Sequence, residues 1–231
     1  MPRRARVVAV GAPHHVTQRG NNRQQVFFSD AQRRLYLALL AEHAERNQLE
    51  ILGYCLMPNH IHAIVVPQAQ TSLAHGFGRA HNAYSRCFNQ SRRRSGHLWQ
   101  NRFYSAPLDQ AHLVEALRYV DLNPVRARLT DDPLAYRWSS AQAHVSGQDA
   151  AGLIDPRAWR RICPRGDWQE LLAPARGLDE EWAQRLRMAT STGKPFGNQA
   201  FVSRMERMTG LSFQAGKPGR PRKARATGAA V

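Results

Sequence analysis

Tyr54-Cys55-Leu56-Met57-Pro58-Asn59-His60-Ile61-His62-Ala63-Ile64-Val65-Val66-Pro67 is the stretch on which the reading of this sequence turns. Its second half is apolar and β-branched, with Pro58 before it and Pro67 at its end. That pattern predicts a buried strand entered through a Met-Pro-Asn corner. Side chains alternate across a strand, so His60 and His62 share a face, about 7 Å apart along the chain. A single histidine on an apolar strand is most simply a hydrogen-bonded core residue. Burying two of them at i and i+2 without partners would cost several kcal/mol, and imidazole is the commonest metal ligand. Spacing alone leaves core packing and a metal or phosphate site both open.

The flanks supply a fold around that strand. Residues 49–56 predict a preceding strand, with Met57-Pro58-Asn59 as the reversal. Further upstream, Ser29 and Gln32 form a capping box, and Leu35, Tyr36, Leu39, Leu40 and His43 recur at helical spacing, which predicts a helix from about Asp30 to Asn47. His14 to Gly20 has strand character and runs into a Gly20-Asn21-Asn22 turn flanked by Arg19 and Arg23. Downstream, Leu73, Phe77, Ala80, Tyr84 and Phe88 make the stripe of an amphipathic helix; Arg79 and Arg86 lie off it, and Arg92-Arg93-Arg94 follows.

Leu98 to Tyr104 reads as an extended segment in which basic and aromatic residues alternate. Such a pattern suits unpaired bases, with Trp99 and Arg102 as contacts, and equally suits a core strand with Trp99 and Phe103 inside. A helix opening at Asp109 or Gln110 carries Leu113, Leu117 and Val120 inward and is expected to stop at Asn123, before Pro124. Tyr136 to Ser140 is expected along the edge of the sheet. Beyond Gly147-Gln148-Asp149 come short helical patterns with Trp159, Trp168 and Trp182 as anchors. The end, from Gly216 to Lys223, is a Gly/Pro-broken basic tail whose Arg220, Arg222 and Lys223 suit a narrow DNA groove.

Charge points to the partner. Over 231 residues, 33 Lys+Arg oppose 17 Asp+Glu, a net charge of +16. Between Ile51 and Leu108 there is no carboxylate side chain, against six arginines and five histidines. A solvated basic face would intersperse acids; a span that excludes them fits a polyanion, and nucleic acid is the natural candidate. No run reaches the roughly 18 apolar residues of a membrane span. The N-terminus lacks the apolar centre of a secretory signal, so a cytoplasmic, nucleoid-associated protein is expected. Cys55, Cys87 and Cys163 are odd in number and far apart, which suggests core fillers in a reducing compartment and no disulfide framework.

A strand with paired histidines needs a further ligand and a reacting group. Tyr119 and Asn123 stand at i and i+4 on one helix, close enough to point into one site. Two imidazoles and an amide oxygen leave coordination positions open and suit Mg²⁺ or Mn²⁺. A phenol beside a polarised phosphate is a candidate nucleophile, with Tyr84, Tyr104 and Tyr119 all eligible on local chemistry.

Asn59-His60-Ile61-His62 with the run to Pro67 resembles the His-hydrophobic-His motif of HUH endonucleases, specifically the single-tyrosine transposases. Leu98 to Tyr104, Tyr119 to Ala127, Tyr136 to Ser140 and the basic tail resemble their REP-associated branch. The resemblance implies an α+β, ferredoxin-like β-α-β-β-α-β sandwich with an antiparallel sheet, followed by a small helical region and a basic tail. The chain then divides into a catalytic domain at 1–148, a helical region at 149–210 and a tail at 211–231. It also implies Tyr119 as nucleophile, His60 and His62 as metal ligands, and Asn123 completing the metal site. The implied reaction is cleavage and strand transfer on hairpin-forming single-stranded DNA through a 5′-phosphotyrosine, with a divalent metal and no nucleotide cofactor. A non-catalytic hairpin-binding protein and a water-using metal phosphoesterase are the rival expectations. Monomer and homodimer both remain open.

Overall fold

In a computed structural model, which describes residues 6–163, 168–173, 177 and 179–213, four antiparallel strands form one sheet. They are β1 (His14–Arg19), β2 (Leu49–Met57), β3 (His60–Pro67) and β4 (Tyr104–Pro107), in the spatial order β2-β3-β1-β4. With α1 (Asp30–Arg46) after β1 and α2 (Ser72–Ser91) after β3, the chain follows the β-α-β-β-α-β order expected of a ferredoxin-like sandwich. The helix α1 starts where its cap predicts: Ser29 accepts from the Gln32 N–H, while the Gln32 side chain reaches back to the N–H of Phe28. α1 and α2 pack on each other over one face of the sheet, joined through Tyr36, whose hydroxyl meets His81 at 2.9 Å.

The opposite face carries the histidines, and a run of helices follows the sheet in the chain. These are α3 (Leu113–Asp121), α4 (Asn123–Arg126), α5 (Ala141–Ser146), α6 (Pro156–Ile162), α7 (Trp168–Leu172), α8 (Glu180–Thr192) and α9 (Gln199–Thr209). α3 lies on β2 and β3, and α8 on β4 and β1. The close approach of α3 depends on Gly53, where a Cβ would come within 2.7 Å of Leu117. Both outer strands are covered. Leu56 N–H donates to Trp138 O and Ser140 N–H to Tyr54 O along β2, as expected for the Tyr136–Ser140 segment, while Phe196 bridges beside β4.

Three local expectations are corrected. The chain does not leave the helical path at Asn123: α3 ends at Asp121 and α4 begins at Asn123, with Pro124 in its first turn, where a missing N–H costs nothing. Residues 98–103 are not a strand; β4 starts only at Tyr104. Cys87 is exposed and fills no core, unlike buried Cys55. Trp159, Trp168 and Leu186, from beyond residue 148, lie in the same continuous apolar core as β2 and β3. Among the described residues, no helix is long and apolar enough to cross a membrane.

Candidate active site

The hairpin between β2 and β3 turns through Pro58 and Asn59, which places His60 at the mouth and His62 one step inside. The register of β1 on β3 sets Arg19 opposite His60 and Thr17 opposite His62, so His15 lies diagonal to His62 on the same face. The His15 and His62 rings stack with centroids 5.2 Å apart and planes 11° from parallel. The Tyr119 ring, delivered by α3, stands edge-on to both, 5.5 Å from His62 and 5.7 Å from His15. His60 lies 5.0 Å from His62. One chain thus brings together the paired histidines and the tyrosine singled out from the sequence.

Hydrogen-bond accounting shows which lone pairs are spare. Asn59 donates its Nδ2 to the Arg23 carbonyl at 3.0 Å, so its Oδ1 faces His60 Nδ1, 2.6 Å away. That contact requires the proton on His60 Nδ1 and leaves Nε2 as a lone pair. His62 uses Nδ1 toward His15 Nε2 at 2.9 Å, so its Nε2 is likewise turned away from that bond. Burial holds both rings neutral. His60 is pushed down to about 4 by burial and then by Arg19; His62 lies well below the usual histidine range through burial and the neighbouring His60, His15, Arg19 and Arg126. Neutral imidazole is the ligating form.

This donor set fits a divalent cation held at an open site. Among the described residues no three His, Cys, Asp or Glu side chains form a group that could hold a metal by themselves. The two imidazoles would therefore be completed by oxygen donors, as Mg²⁺ and Mn²⁺ prefer. Asn123 is buried, and its Nδ2 donates to the Tyr119 carbonyl at 2.8 Å, which leaves Oδ1 as the atom it has to offer.

Around Tyr119 the structure adds cations that the sequence reading did not assign. The Arg126 guanidinium lies 5.0 Å from the Tyr119 ring centre, and Arg187 of α8 stands within electrostatic reach of the Tyr119 side chain. Glu180 ties these arginines together, one oxygen accepting from each at 2.6 Å. Beneath this cover Tyr119 is 1% exposed. His15, Thr190, Arg126 and Arg187 were missed. Arg126 stands within the quoted Tyr119 to Ala127 motif, but nothing local marks the other three.

The predicted DNA contacts divide between two sides. Arg19 and Arg23 are exposed beside His60, and Arg23 lines a groove of about 360 Å³ with Pro58, Asn59, His60 and Leu129. Arg94 joins this rim by donating to Gln24 Oε1, and Arg92 stacks 3.8 Å from the Phe28 ring, with exposed Arg93 between them. Arg102 is exposed and lines a basic cavity of about 340 Å³ with Arg6 and Lys194. Arg79 and Arg86 are exposed on α2, in the helical layer across the sheet from His60 and His62. Trp99 corrects its sequence reading. It is 8% exposed, donates Nε1–H to His81 O, and packs against Tyr36, Tyr84 and His81, so its ring is not free to stack on a base. Arg220, Arg222 and Lys223 lie outside the described residues.

Known proteins resemble this chain in sequence family and in fold. The family model "Transposase IS200 like" matches residues 10–123, the span from β1 through Tyr119 to Asn123. A solved REP-associated tyrosine transposase, bound to a REP hairpin, is 18% identical; the match covers 68% of this chain and 90% of that one, with a TM-score of 0.51. A protein from Deinococcus radiodurans R1, provisionally assigned as a transposase, is 17% identical over 52% of this chain and 96% of its own, with a TM-score of 0.37, too low to bear on the fold. Among curated proteins none matches. Residues 10–123 thus match the IS200-like transposase family, and the chain shares its fold with a REP-associated tyrosine transposase.

Proposed function

We propose that this protein is a metal-dependent endonuclease and strand transferase of the REP-associated branch, acting on hairpin-forming single-stranded DNA. The observation that carries this reading is the Tyr119 ring, 5.5 Å from His62 in the same chain and flanked by two guanidinium groups. The Tyr119 oxygen attacks a backbone phosphorus. A Tyr–O–P bond forms, the P–O3′ bond breaks, and the 3′ oxygen takes up a proton equivalent to the one lost by the phenol. The 5′ end is left on the protein, and attack by another 3′-OH reverses the step. A divalent cation on His60 and His62 Nε2, with Asn123 Oδ1, would supply Lewis-acid polarisation of the phosphate. Arg126 and Arg187 offset negative charge on the phenolic oxygen and the phosphate as it builds. Arg19, Arg23 and Arg94 on the adjoining rim suit the strand on either side.

Incubation with a hairpin oligonucleotide and Mn²⁺ is expected to give a denaturant-resistant adduct that disappears in Tyr119→Phe. An adduct that persists in that variant would move the nucleophile elsewhere. The burial of Tyr119 favours a second reading, a hairpin-binding protein that keeps the fold without the chemistry. That protein would bind the hairpin equally with chelator or with His60→Ala, and would form no adduct in any metal.

A further inference from the structure

The site contains a chain of hydrogen bonds whose direction is fixed at its far end. Thr190 Oγ1 lies 2.8 Å from the Leu186 carbonyl, which can only accept, so the hydroxyl proton is committed there. His15 Nδ1 lies 2.7 Å from the same Oγ1, and with the hydroxyl proton already placed, His15 must donate. A neutral His15 that is protonated on Nδ1 offers a lone pair at Nε2. Across 2.9 Å from that lone pair stands His62 Nδ1, which must therefore carry a proton. The only ring nitrogen left unprotonated on His62 is Nε2. Every group in the chain is buried: His15 and Thr190 are 0% and 1% exposed, and His62 is 6%. No water is needed to close it.

We infer that Thr190 and His15 are positioning residues that set the tautomer and orientation of His62, so that its Nε2 lone pair is presented for ligation. The inference rests on the metal-dependent reading above. It assigns a role to α8, an element beyond the 114 residues from 10 to 123 that the family model matches. Asn59 does the same for His60 through one bond, whereas His62, deeper in the fold, is oriented from 128 residues away in sequence. Groups that orient a ligating histidine through its other nitrogen fix which nitrogen faces the metal.

Thr190→Val keeps the shape of the side chain and removes the acceptor. His15 then has no partner for Nδ1–H and gains one by moving its proton to Nε2, where it donates to His62 Nδ1. That in turn forces the His62 proton onto Nε2, the atom needed for the metal. Thr190→Ser restores the acceptor. Long-range ¹H–¹⁵N correlation spectra of the full-length protein report the tautomer directly, and Mn²⁺ titration followed by electron paramagnetic resonance reports affinity without DNA.

Wild type and Thr190→Ser are expected to show His62 protonated on Nδ1. Thr190→Val is expected to show it on Nε2, with Mn²⁺ bound roughly 10- to 100-fold more weakly. Nε2 protonation in the wild type, or equal Mn²⁺ affinity in Thr190→Val and Thr190→Ser, would overturn the inference. Wild type that shows the Nδ1–H tautomer, shifted by Thr190→Val, yet takes up no Mn²⁺ would instead sink the metal reading and leave the tautomer chain standing.

Discussion

Of the buried imidazoles on the face of the sheet covered by α3 and α8, His62 and His144 differ in a way that separates function from support. His62 is reached through a chain of neutral donors that ends with one lone pair to spare. His144 is closed at both ends: Nδ1 meets Asp121 Oδ2 at 2.7 Å and Nε2 meets the Leu52 carbonyl at 2.8 Å. Both ring nitrogens therefore face oxygen partners, and neither is left for a ligand. Asp121 also accepts from Ser140 Oγ at 2.6 Å and Trp168 Nε1 at 2.9 Å. The two networks share α3: Tyr119 looks toward the first and Asp121, two residues on, into the second. A saturated network pins the helix from behind so that its other side can hold a nucleophile beside an unsaturated one.

This contrast can be broken most forcefully with acid. His14 is pushed down to about 4, and His15 and His81 to about 3, all chiefly by burial. An unfolded histidine titrates near 6.5, so as pH falls the unfolded chain takes up protons first. Stability is therefore full above about pH 6.5 and is lost as pH drops toward 3–4, by about 1.4 kcal/mol per histidine per pH unit. For these three the slope is roughly 4 kcal/mol per unit, enough to unfold a marginally stable domain within two or three units. Urea midpoints between pH 7 and 5 measure it, and His15→Phe should make the slope shallower by about one histidine's share. A flat profile would mean that these imidazoles are not neutral in the fold.

The closed network gives the next largest effect. Asp121→Ala leaves His144, Trp168 and Ser140 without the carboxylate they share, and each orphaned buried group costs about 1–3 kcal/mol. Thr190→Val, in the open network, should cost far less in thermal stability while it loosens the metal. If the two variants destabilised equally, the division into support and site would fail. The smallest effect is expected at the rim of the nucleophile. Arg126→Gln should leave the melting temperature nearly unchanged, because its partner Glu180 is largely solvent-exposed. It should slow formation of the Tyr119 adduct about tenfold, or about 1.4 kcal/mol of activation free energy.

Much of this was legible from local pattern. The β-branched run around His60 and His62, the Ser29 cap and the stripe from Leu73 to Phe88 each carry their own periodicity, and each became the element expected. The histidine pair was legible because alternate residues of one strand share a face, whereas Tyr119 was set apart from Tyr84 and Tyr104 only by the family resemblance. Trp99 was ambiguous: an aromatic between basic residues looks alike whether its ring turns toward bases or toward Tyr36 and His81. Pro124 misled because a proline that ends one helix can begin the next, and only backbone geometry tells them apart.

By itself the sequence determined the order of strands and helices, the paired imidazoles on one strand face and the surplus of positive charge. Those are properties of short stretches and of totals. Only the tertiary structure decided that His15 would stack on His62, that Thr190 would close the chain behind it, and that Asp121 would meet His144. Such contacts depend on strand register and on where a distant helix lands. Those are set by the packing of the whole core, so residues 175 positions apart, His15 and Thr190, carry no local mark of each other.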